Sequence, residues 1–365
     1  MVTGAQSMMS SVLRIMTSGV LAGALIKTGS AEKIAETIIS RLGEKRALMA
    51  VAIATMIICA VGVFIDISVI TVAPIALAIG KKTGLSRASI LLAMIGGGKA
   101  GNIISPNPNT IAVSEAFNVN LTALMMKNLI PAICALIVTI LLSMMLAKKG
   151  TDIINDTADR EGEKKLPSFL QAIVGPLLVI ALLMMRLFVP VSIDPLVALP
   201  LGGILTILVT GHAKEITDIT EYGLSKVIGV SILLVGTGTI AGIIKASALQ
   251  LDMINVLDAM NMPSFVLAPL SGILMAAATA STTAGSTIAS QTFAETLPAA
   301  GIPALSAGAM IHAGATVLDS LPHGSFFHAT GGSVSMEINE RMKLIPYEAC
   351  VGLASTIAAV IVYLA

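Results

Sequence analysis

Two short polar segments interrupt long apolar stretches of this chain, and they constrain its fold more than any other feature. Residues 105–110 read Ser-Pro-Asn-Pro-Asn-Thr, and residues 321–326 read Leu-Pro-His-Gly-Ser-Phe. The sequences that follow them also match, with MKNLIPAIC at 126–134 and MKLIPYEAC at 342–350. Proline lacks a backbone donor and fits poorly inside a helix. Each segment therefore predicts a helix broken near its middle, and the pair predicts two related halves.

The composition is that of a membrane protein. The 365 residues are 55% hydrophobic and 12% charged, and the mean hydropathy is +0.92, whereas soluble domains are roughly 25% charged. The segments that reach the roughly 17–25 apolar residues needed to cross a bilayer are 10–26, 124–147, 167–190, 195–211, 228–244 and 344–364. With a net charge of +1 and no basic arm, the expected partner is the lipid bilayer and not a nucleic acid.

Each half contains the same elements in the same order: a spanning helix, an amphipathic segment, an apolar stretch broken by polar residues, and the proline-broken helix. These are 10–26, 31–43, 47–80 and 88–117 in the first half, and 228–244, 249–260, 264–297 and 305–332 in the second. Two short arms around a polar tip indicate a re-entrant hairpin, which requires protein or a wet cavity around its tip. The predicted fold is an all-α polytopic membrane protein with two re-entrant hairpins and two interrupted helices.

The number of crossings predicts how the halves are related. An odd number of predicted crossings separates the start of one repeat from the start of the next, so the second repeat should be inverted in the membrane. Most of the 22 Lys and Arg residues then fall on one side, which the positive-inside rule identifies as cytoplasmic. The others are Arg14, Lys127, Arg186 and Lys245 on the outer side and Lys99 within the membrane.

The predicted organisation has three parts. Residues 1–147 form the first transmembrane repeat, 148–166 form a cytoplasmic linker, and 167–365 form the second repeat. The second repeat begins with the helix pair 167–211, and no corresponding pair precedes the first. A complete relative is therefore expected to carry two further N-terminal helices.

Polar residues of the two breaks and of the second hairpin tip form the candidate substrate site. A half-helix that begins near Asn109 and Thr110 would offer free N–H groups and a partial positive charge to a carboxylate. Polar groups at membrane depth cost free energy unless they line a cavity. The candidate substrate ligands are Lys99, Asn102, Ser105, Asn107, Asn109, Thr110, Ser281, Thr282, Thr283, Ser286, Thr287, Ser320, His323 and Ser325.

Ionisable residues at membrane depth are candidates for ion or proton coupling, namely Asp66, Asp319 and His312. Two interpretations of Asp66 stay open. It forms a structural ion pair with Lys99, or else Asp66 or Asp319 carries a proton or helps to bind a cation while Lys99 attracts an anionic substrate.

No metal, cofactor or catalytic site is expected. The three cysteines lack the spacing of metal ligands or of a redox motif. The Gly-Gly-Gly-Lys run at 96–99 fails as a phosphate loop, because Ala93 and Ala100 stand where glycine and Ser/Thr are required. His312, Asp319 and Ser325 lack the nucleophile-elbow pattern of a hydrolase triad.

Several segments together resemble the gluconate permease (GntP) family of the ion-transporter superfamily. They are SGVLAGALIKTGSAEKIAETIISRLGEKRA, VFIDISVITVAPIALAI, GGGKAGNIISPNPNTIAVSEAF and LDSLPHGSFFHATGG. The resemblance implies an inner-membrane secondary carrier that couples protons to the uptake of gluconate or a related small organic anion. It also implies re-entrant hairpins, two interrupted helices around a central site, and elevator-type motion. The chain departs from the family in its shorter N-terminus and in carrying Lys99 and Asn107 within the polar motif.

The leading hypothesis is therefore a proton-coupled symporter for a small hydroxylated carboxylate. One alternative is a Na⁺-coupled di- or tricarboxylate carrier or an antiporter of the same superfamily. A second is a channel or a membrane subunit that does not transport. The sequence leaves open whether the chain forms a homo-oligomer.

Overall fold

Every regular element in the described part of the chain is a helix. The computed structural model describes residues 9–151, 153, 165–185, 193–244 and 263–365, with 2, 6 and 255 as isolated positions. The predicted all-α fold is confirmed. Apart from the isolated position 255, the predicted amphipathic segment 249–260 lies outside the described residues, as does most of the linker 148–166, so those predictions stay predictions.

Both predicted helix breaks are present. The first broken helix consists of Arg87–Asn102 and Pro108–Ala116, and the second consists of Ala304–Gly314 and Ser325–Ser333. Pro108 occupies the first turn of its half-helix, where the missing proline N–H would have had no helical partner. The sequence places proline where the helix has to restart, so the break costs fewer backbone hydrogen bonds.

Two helical hairpins precede the broken helices. The first hairpin is Ala47–Ala60 with Ile65–Thr83, and the second is Leu267–Thr279 with Thr282–Phe293. The polar run 281–287, predicted as the break, is mostly helical, because the Ser281 hydroxyl caps the second arm by accepting a bond from the Ala284 N–H (3.2 Å). The turn is therefore tighter than predicted.

Helices long and apolar enough to cross a membrane, within the described residues, cover Met9–Lys27, Ala213–Gly236 and Ile338–Leu364. A further pair, Leu121–Lys127 and Leu129–Met145, is bent by 44°. The span Ala213–Gly236 lies largely within the helix Ile216–Ile244, and the span Ile338–Leu364 consists of the helices Ile338–Met342 and Ile345–Leu364. The remaining helices are Ser30–Leu42, Phe169–Met184, Pro195–Val209 and Thr296–Ala299. The inverted relation of the halves stays a prediction.

The predicted span 228–244 starts too late. The helix runs from Ile216 to Ile244, and its first turns carry Asp218, Glu221 and Lys226. The sequence prediction placed Lys226 on the cytoplasmic side and began the span after it, at residue 228. Charged residues are compatible with a helix, so the helix can start before them. Gly223 also packs this part of the helix against helix Met9–Lys27.

Close helix packing depends on glycines that leave no room for a side chain. Gly19 and Gly23 are four residues apart in helix Met9–Lys27, and both face Gly223 of helix Ile216–Ile244. A Cβ on Gly23 would lie 2.6 Å from the Gly223 Cα, and one on Gly223 would lie 2.1 Å from the Gly19 carbonyl oxygen. Small residues at this spacing let helices approach closely in lipid, where the hydrophobic effect does not drive them together.

We expect Gly223→Ala to destabilise the protein by about 1–3 kcal/mol, the usual cost of overpacking a tight contact. Gly236→Ala on the same helix is the matched control, since a Cβ there meets nothing within 4 Å. Thermal unfolding of both variants in detergent should lower the Tm of Gly223→Ala alone. Equal Tm values would contradict the packing of these two helices.

Candidate functional site

Asn107 organises the first helix break. Its Oδ1 accepts hydrogen bonds from the N–H groups of Asn109 (2.9 Å) and Thr110 (3.1 Å), which caps the half-helix Pro108–Ala116. Its Nδ2 donates to the backbone oxygen (3.0 Å) and to Oδ1 (2.6 Å) of Asn102, at the end of the preceding half-helix. One side chain therefore joins both ends of the break.

This cap changes one expectation from the sequence. The N–H groups of Asn109 and Thr110 are not free to bind a carboxylate, because Asn107 already occupies them. Asparagine is among the strongest capping residues, since its side-chain oxygen reaches the unpaired N–H groups of the first turn. An asparagine just before the start of a helix is a recognisable capping signal in a sequence. Its side-chain oxygen competes with an anion for the same N–H groups.

Lys99 and Asp319 form a buried ion pair at the second helix break. The Lys99 Nζ lies 2.6 Å from Asp319 Oδ1, and the two side chains are 1% and 2% exposed. The Ser320 hydroxyl donates to the same carboxylate oxygen (2.9 Å). The partner of Lys99 is therefore Asp319, and the alternative of an Asp66–Lys99 pair is wrong, because Lys99 reaches across to the other broken helix.

The tip of the second hairpin connects the two breaks. The Thr282 hydroxyl donates to Asp319 Oδ2 (2.6 Å), and the Thr283 hydroxyl donates to Asn109 Oδ1 (2.5 Å). Ala280, two residues before Thr282, has a left-handed backbone (φ 46°) and packs against Gly324, where a Cβ would lie 2.4 Å from the Ala280 oxygen. Adjacent threonines therefore tie one hairpin tip to both broken helices.

A cavity of about 380 Å³ lies where these elements meet. Its volume falls in the range of roughly 300–1,000 Å³ that is usual for small-molecule sites. The polar residues that line it are Asp66, Asn102, Asn109, Lys226, Ser281, Thr282, Thr283, Asp319 and Ser325. Apolar lining comes from Phe64, Ile65, Ile67, Ile70, Val230, Leu233 and Phe326. Eight of the predicted site residues are thus brought together around one space.

Lys226 lines this cavity but was not predicted as a site residue. Its Nζ lies 4.8 Å from the centre of the Tyr222 ring, and Lys27 approaches the same ring at 4.4 Å. The positive-inside pattern assigned Lys226 to a cytoplasmic loop. Helical spacing would have found it, because Lys226, Gly229, Val230 and Leu233 all line the cavity at intervals of three and four residues along one helix face.

Other predicted residues support the site without lining the cavity. Thr110 donates to the Asn102 oxygen (3.5 Å), and Ser286 donates to the Thr283 oxygen (3.3 Å). Lys99, Asn107 and Ser320 act through the contacts described above.

The remaining predicted residues take no part in these contacts. Ser105, Thr287 and His312 are fully buried, and the Ser105 hydroxyl, the Thr287 hydroxyl and both ring nitrogens of His312 have no hydrogen-bond partner. His323 is exposed.

A second cavity of about 340 Å³ surrounds Arg14. The guanidinium bonds Asp194 through Nε (3.0 Å) and Nη2 (2.6 Å), and it also pairs with Glu115. The Arg14 guanidinium holds the pKa of the Asp194 carboxyl below its usual range. This cluster ties helix Met9–Lys27 to the end of the first broken helix and to the start of Pro195–Val209, a link that sequence reasoning did not identify.

The model of the GntP family permeases matches residues 1–199. The chain belongs to this family. An uncharacterized transporter of Haemophilus influenzae is 52% identical over 363 residues, covering 100% of this chain and 87% of the relative. An uncharacterized permease of the same organism is 26% identical over 157 residues, covering 42% of this chain and 32% of the relative. This family member is therefore a multi-pass membrane transporter, and these names point away from an enzyme.

The fold of this permease also resembles a solved transporter structure. The crystal structure of the Alcanivorax borkumensis YdaH transporter superposes with a TM-score of 0.68 at 14% identity. The match covers 99% of this chain and 85% of that chain. At this identity the likeness concerns the fold alone.

The capping role of Asn107 in this permease is testable with a graded pair of variants. Asn107→Ser keeps a capping oxygen but loses the donor to Asn102, whereas Asn107→Ala loses both. We expect Tm to fall in the order wild type, Asn107→Ser, Asn107→Ala, because loss of a cap alone costs about 0.5–2 kcal/mol. Thermal unfolding in detergent measures the series, and an unchanged Tm for Asn107→Ala would contradict the assigned role.

Proposed function

We propose that this protein is a secondary active transporter that takes up gluconate or a similar small hydroxylated carboxylate across the inner membrane, coupled to protons. The observation that carries the proposal is the cavity between the two helix breaks and the second hairpin tip. Its lining combines amides, hydroxyls and charged groups with apolar walls, and such a mixture suits a short polyhydroxylated anion.

An unsatisfied donor on a residue that lines the cavity supports hydroxyl binding. The Asn102 Nδ2 is buried and has no hydrogen-bond partner, while its Oδ1 accepts from the Nδ2 groups of Asn107 and Asn109. A buried donor without a partner costs about 1–3 kcal/mol. A substrate hydroxyl that accepts from Asn102 would remove this cost. Ser281 and Thr283, which also line the cavity, add neutral groups for further hydroxyls.

The second broken helix offers the better place for the carboxylate. The half-helix Ser325–Ser333 has no side-chain cap, and its first residues, Ser325 and Phe326, line the cavity. Free N–H groups and the helix dipole favour an anion at such an end. Lys226 adds a positive charge to the same cavity. The carboxylate is therefore assigned to the second break, where the sequence had suggested the first.

Asp66 is the best candidate for proton coupling. It lines the cavity and accepts a hydrogen bond from the Ile67 N–H (2.9 Å), whereas the Asp319 carboxylate is held by Lys99, Thr282 and Ser320. A carboxylate that faces the substrate cavity can gain and lose a proton as the cavity opens to either side. The alternative, Na⁺ coupling, would make uptake depend on Na⁺ and not on the pH gradient.

Uptake of labelled gluconate and related sugar acids into proteoliposomes tests this function. We expect an inward proton gradient to drive accumulation by the wild type. Asp66→Asn should lose at least about 90% of gradient-driven accumulation. This tenfold loss corresponds to about 1.4 kcal/mol in driving force. The variant should still exchange internal for external substrate. Asp218→Asn, an exposed carboxylate on helix Ile216–Ile244, is the control. Unchanged accumulation by Asp66→Asn would remove Asp66 from coupling, and no uptake of any sugar acid would refute the substrate class.

A further inference from the structure

Lys99 makes a set of contacts that resembles the coordination of a metal cation. Its Nζ lies 2.6 Å from the Thr316 carbonyl oxygen, 3.4 Å from the Glu348 carbonyl oxygen and 2.6 Å from Asp319 Oδ1. An ammonium has three hydrogen atoms to donate, so these three oxygens account for all of them. The charge is 1% exposed and does not line the substrate cavity.

Two of the three oxygens, from Thr316 and Asp319, come from the break between Ala304–Gly314 and Ser325–Ser333, and the third belongs to Glu348 in helix Ile345–Leu364. Thr316 follows the half-helix Ala304–Gly314, and its carbonyl lies at the negative end of that half-helix. Unwound carbonyls and C-terminal ends of half-helices coordinate Na⁺ in such carriers. Here the acceptors surround a side chain of the protein itself.

The first break is closed in a comparable way by neutral groups. The Asn102 carbonyl, at the end of Arg87–Asn102, accepts from Asn107 Nδ2 (3.0 Å) and from the Thr110 hydroxyl (3.5 Å). At both breaks, therefore, the protein's own donors bond a carbonyl at the end of a half-helix or just beyond it. Only the second break uses a full positive charge, and only there does a carboxylate accompany the carbonyls.

Neighbouring charges leave Lys99 as the counterion of Asp319. The Glu348 side chain is paired with Arg341, whose Nη2 lies 3.2 Å from Glu348 Oε2, so only the backbone oxygen of Glu348 serves Lys99. The other carboxylate oxygen of Asp319 accepts a hydrogen bond from the Thr282 hydroxyl, which carries no charge. The positive charge that balances Asp319 therefore comes from Lys99.

We propose that Lys99 is a tethered cation, which occupies the place at the second helix break where a carrier coupled to a free cation would bind Na⁺. This proposal rests on the proposed function, because it assumes that the protein is a carrier. It adds that Lys99 is the residue that makes a free cation unnecessary at the second break. Because the ammonium is part of the chain, the wild type needs no Na⁺ at this position. Shortening Lys99 leaves the Asp319 carboxylate and the carbonyls facing an empty space that a small cation fits.

The test measures the Tm of purified full-length protein without substrate, in NaCl, LiCl or choline chloride at equal ionic strength. The wild type should show the same Tm in all three salts. Lys99→Ala should melt lower in choline and gain at least about 2 °C from Na⁺ or Li⁺, the shift expected when a ligand binds only the folded state. The double variant Lys99→Ala/Asp319→Asn lacks both charges and should not respond to the choice of cation.

Three results would overturn the proposal. The first is a wild type whose Tm is higher in Na⁺ than in choline, and the second is a folded Lys99→Ala variant whose Tm does not rise in Na⁺ or Li⁺. The third is a Lys99→Ala variant that unfolds during purification even in Na⁺, although the double variant folds. None of these measurements depends on the identity of the substrate. A failure of sugar-acid uptake would therefore leave this proposal standing, and a failure here would leave the substrate class untouched.

Discussion

Backbone that leaves the helix at membrane depth must find its hydrogen bonds within the protein, because lipid supplies none. The rest of this structure depends on that requirement. Two helices are broken by proline-containing segments, and side chains close both breaks: Asn107 spans the first, and Lys99 with Asp319 closes the second. The second hairpin then joins the two breaks through Thr282 and Thr283. The polar residues are thus structural first, and several of those that make these contacts, such as Thr282, Thr283 and Asp319, also line the cavity.

This double role gives the cavity its chemistry. Groups that are fully used within the breaks, such as the Asn109 and Thr110 N–H groups, are withdrawn from substrate binding. Groups with spare capacity, such as the Asn102 Nδ2 and the uncapped start of Ser325–Ser333, belong to residues that line the cavity. A hydroxylated carboxylate can use both kinds of group at once. The division between a neutral first break and a charged second break follows from which side chains close each of them.

The sequence predicted the elements of the fold better than their contacts. Proline positions and apolar run lengths located both broken helices, because these features act locally. The turn of the second hairpin was predicted too wide, since the run 281–287 is polar but Ser281 caps a helix that continues through it. The Lys99–Asp319 pair could not be predicted, because its partners lie on different halves of the chain. Lys226 was missed because charge alone assigned it to a loop, although helical spacing places it with Leu233.

The central claim is that substrate occupies the space between the breaks and the second hairpin tip, and protection of a cysteine at this site tests it most directly. Ser325→Cys would place a thiol in the cavity lining, and Ser225→Cys would place one on an exposed part of helix Ile216–Ile244. Cys134 and Cys350 are replaced first, because both are at least partly accessible. Gluconate should slow alkylation of Ser325→Cys by at least about tenfold, equivalent to about 1.4 kcal/mol, and leave Ser225→Cys unaffected. Equal alkylation of Ser325→Cys with and without a transported substrate would contradict the account.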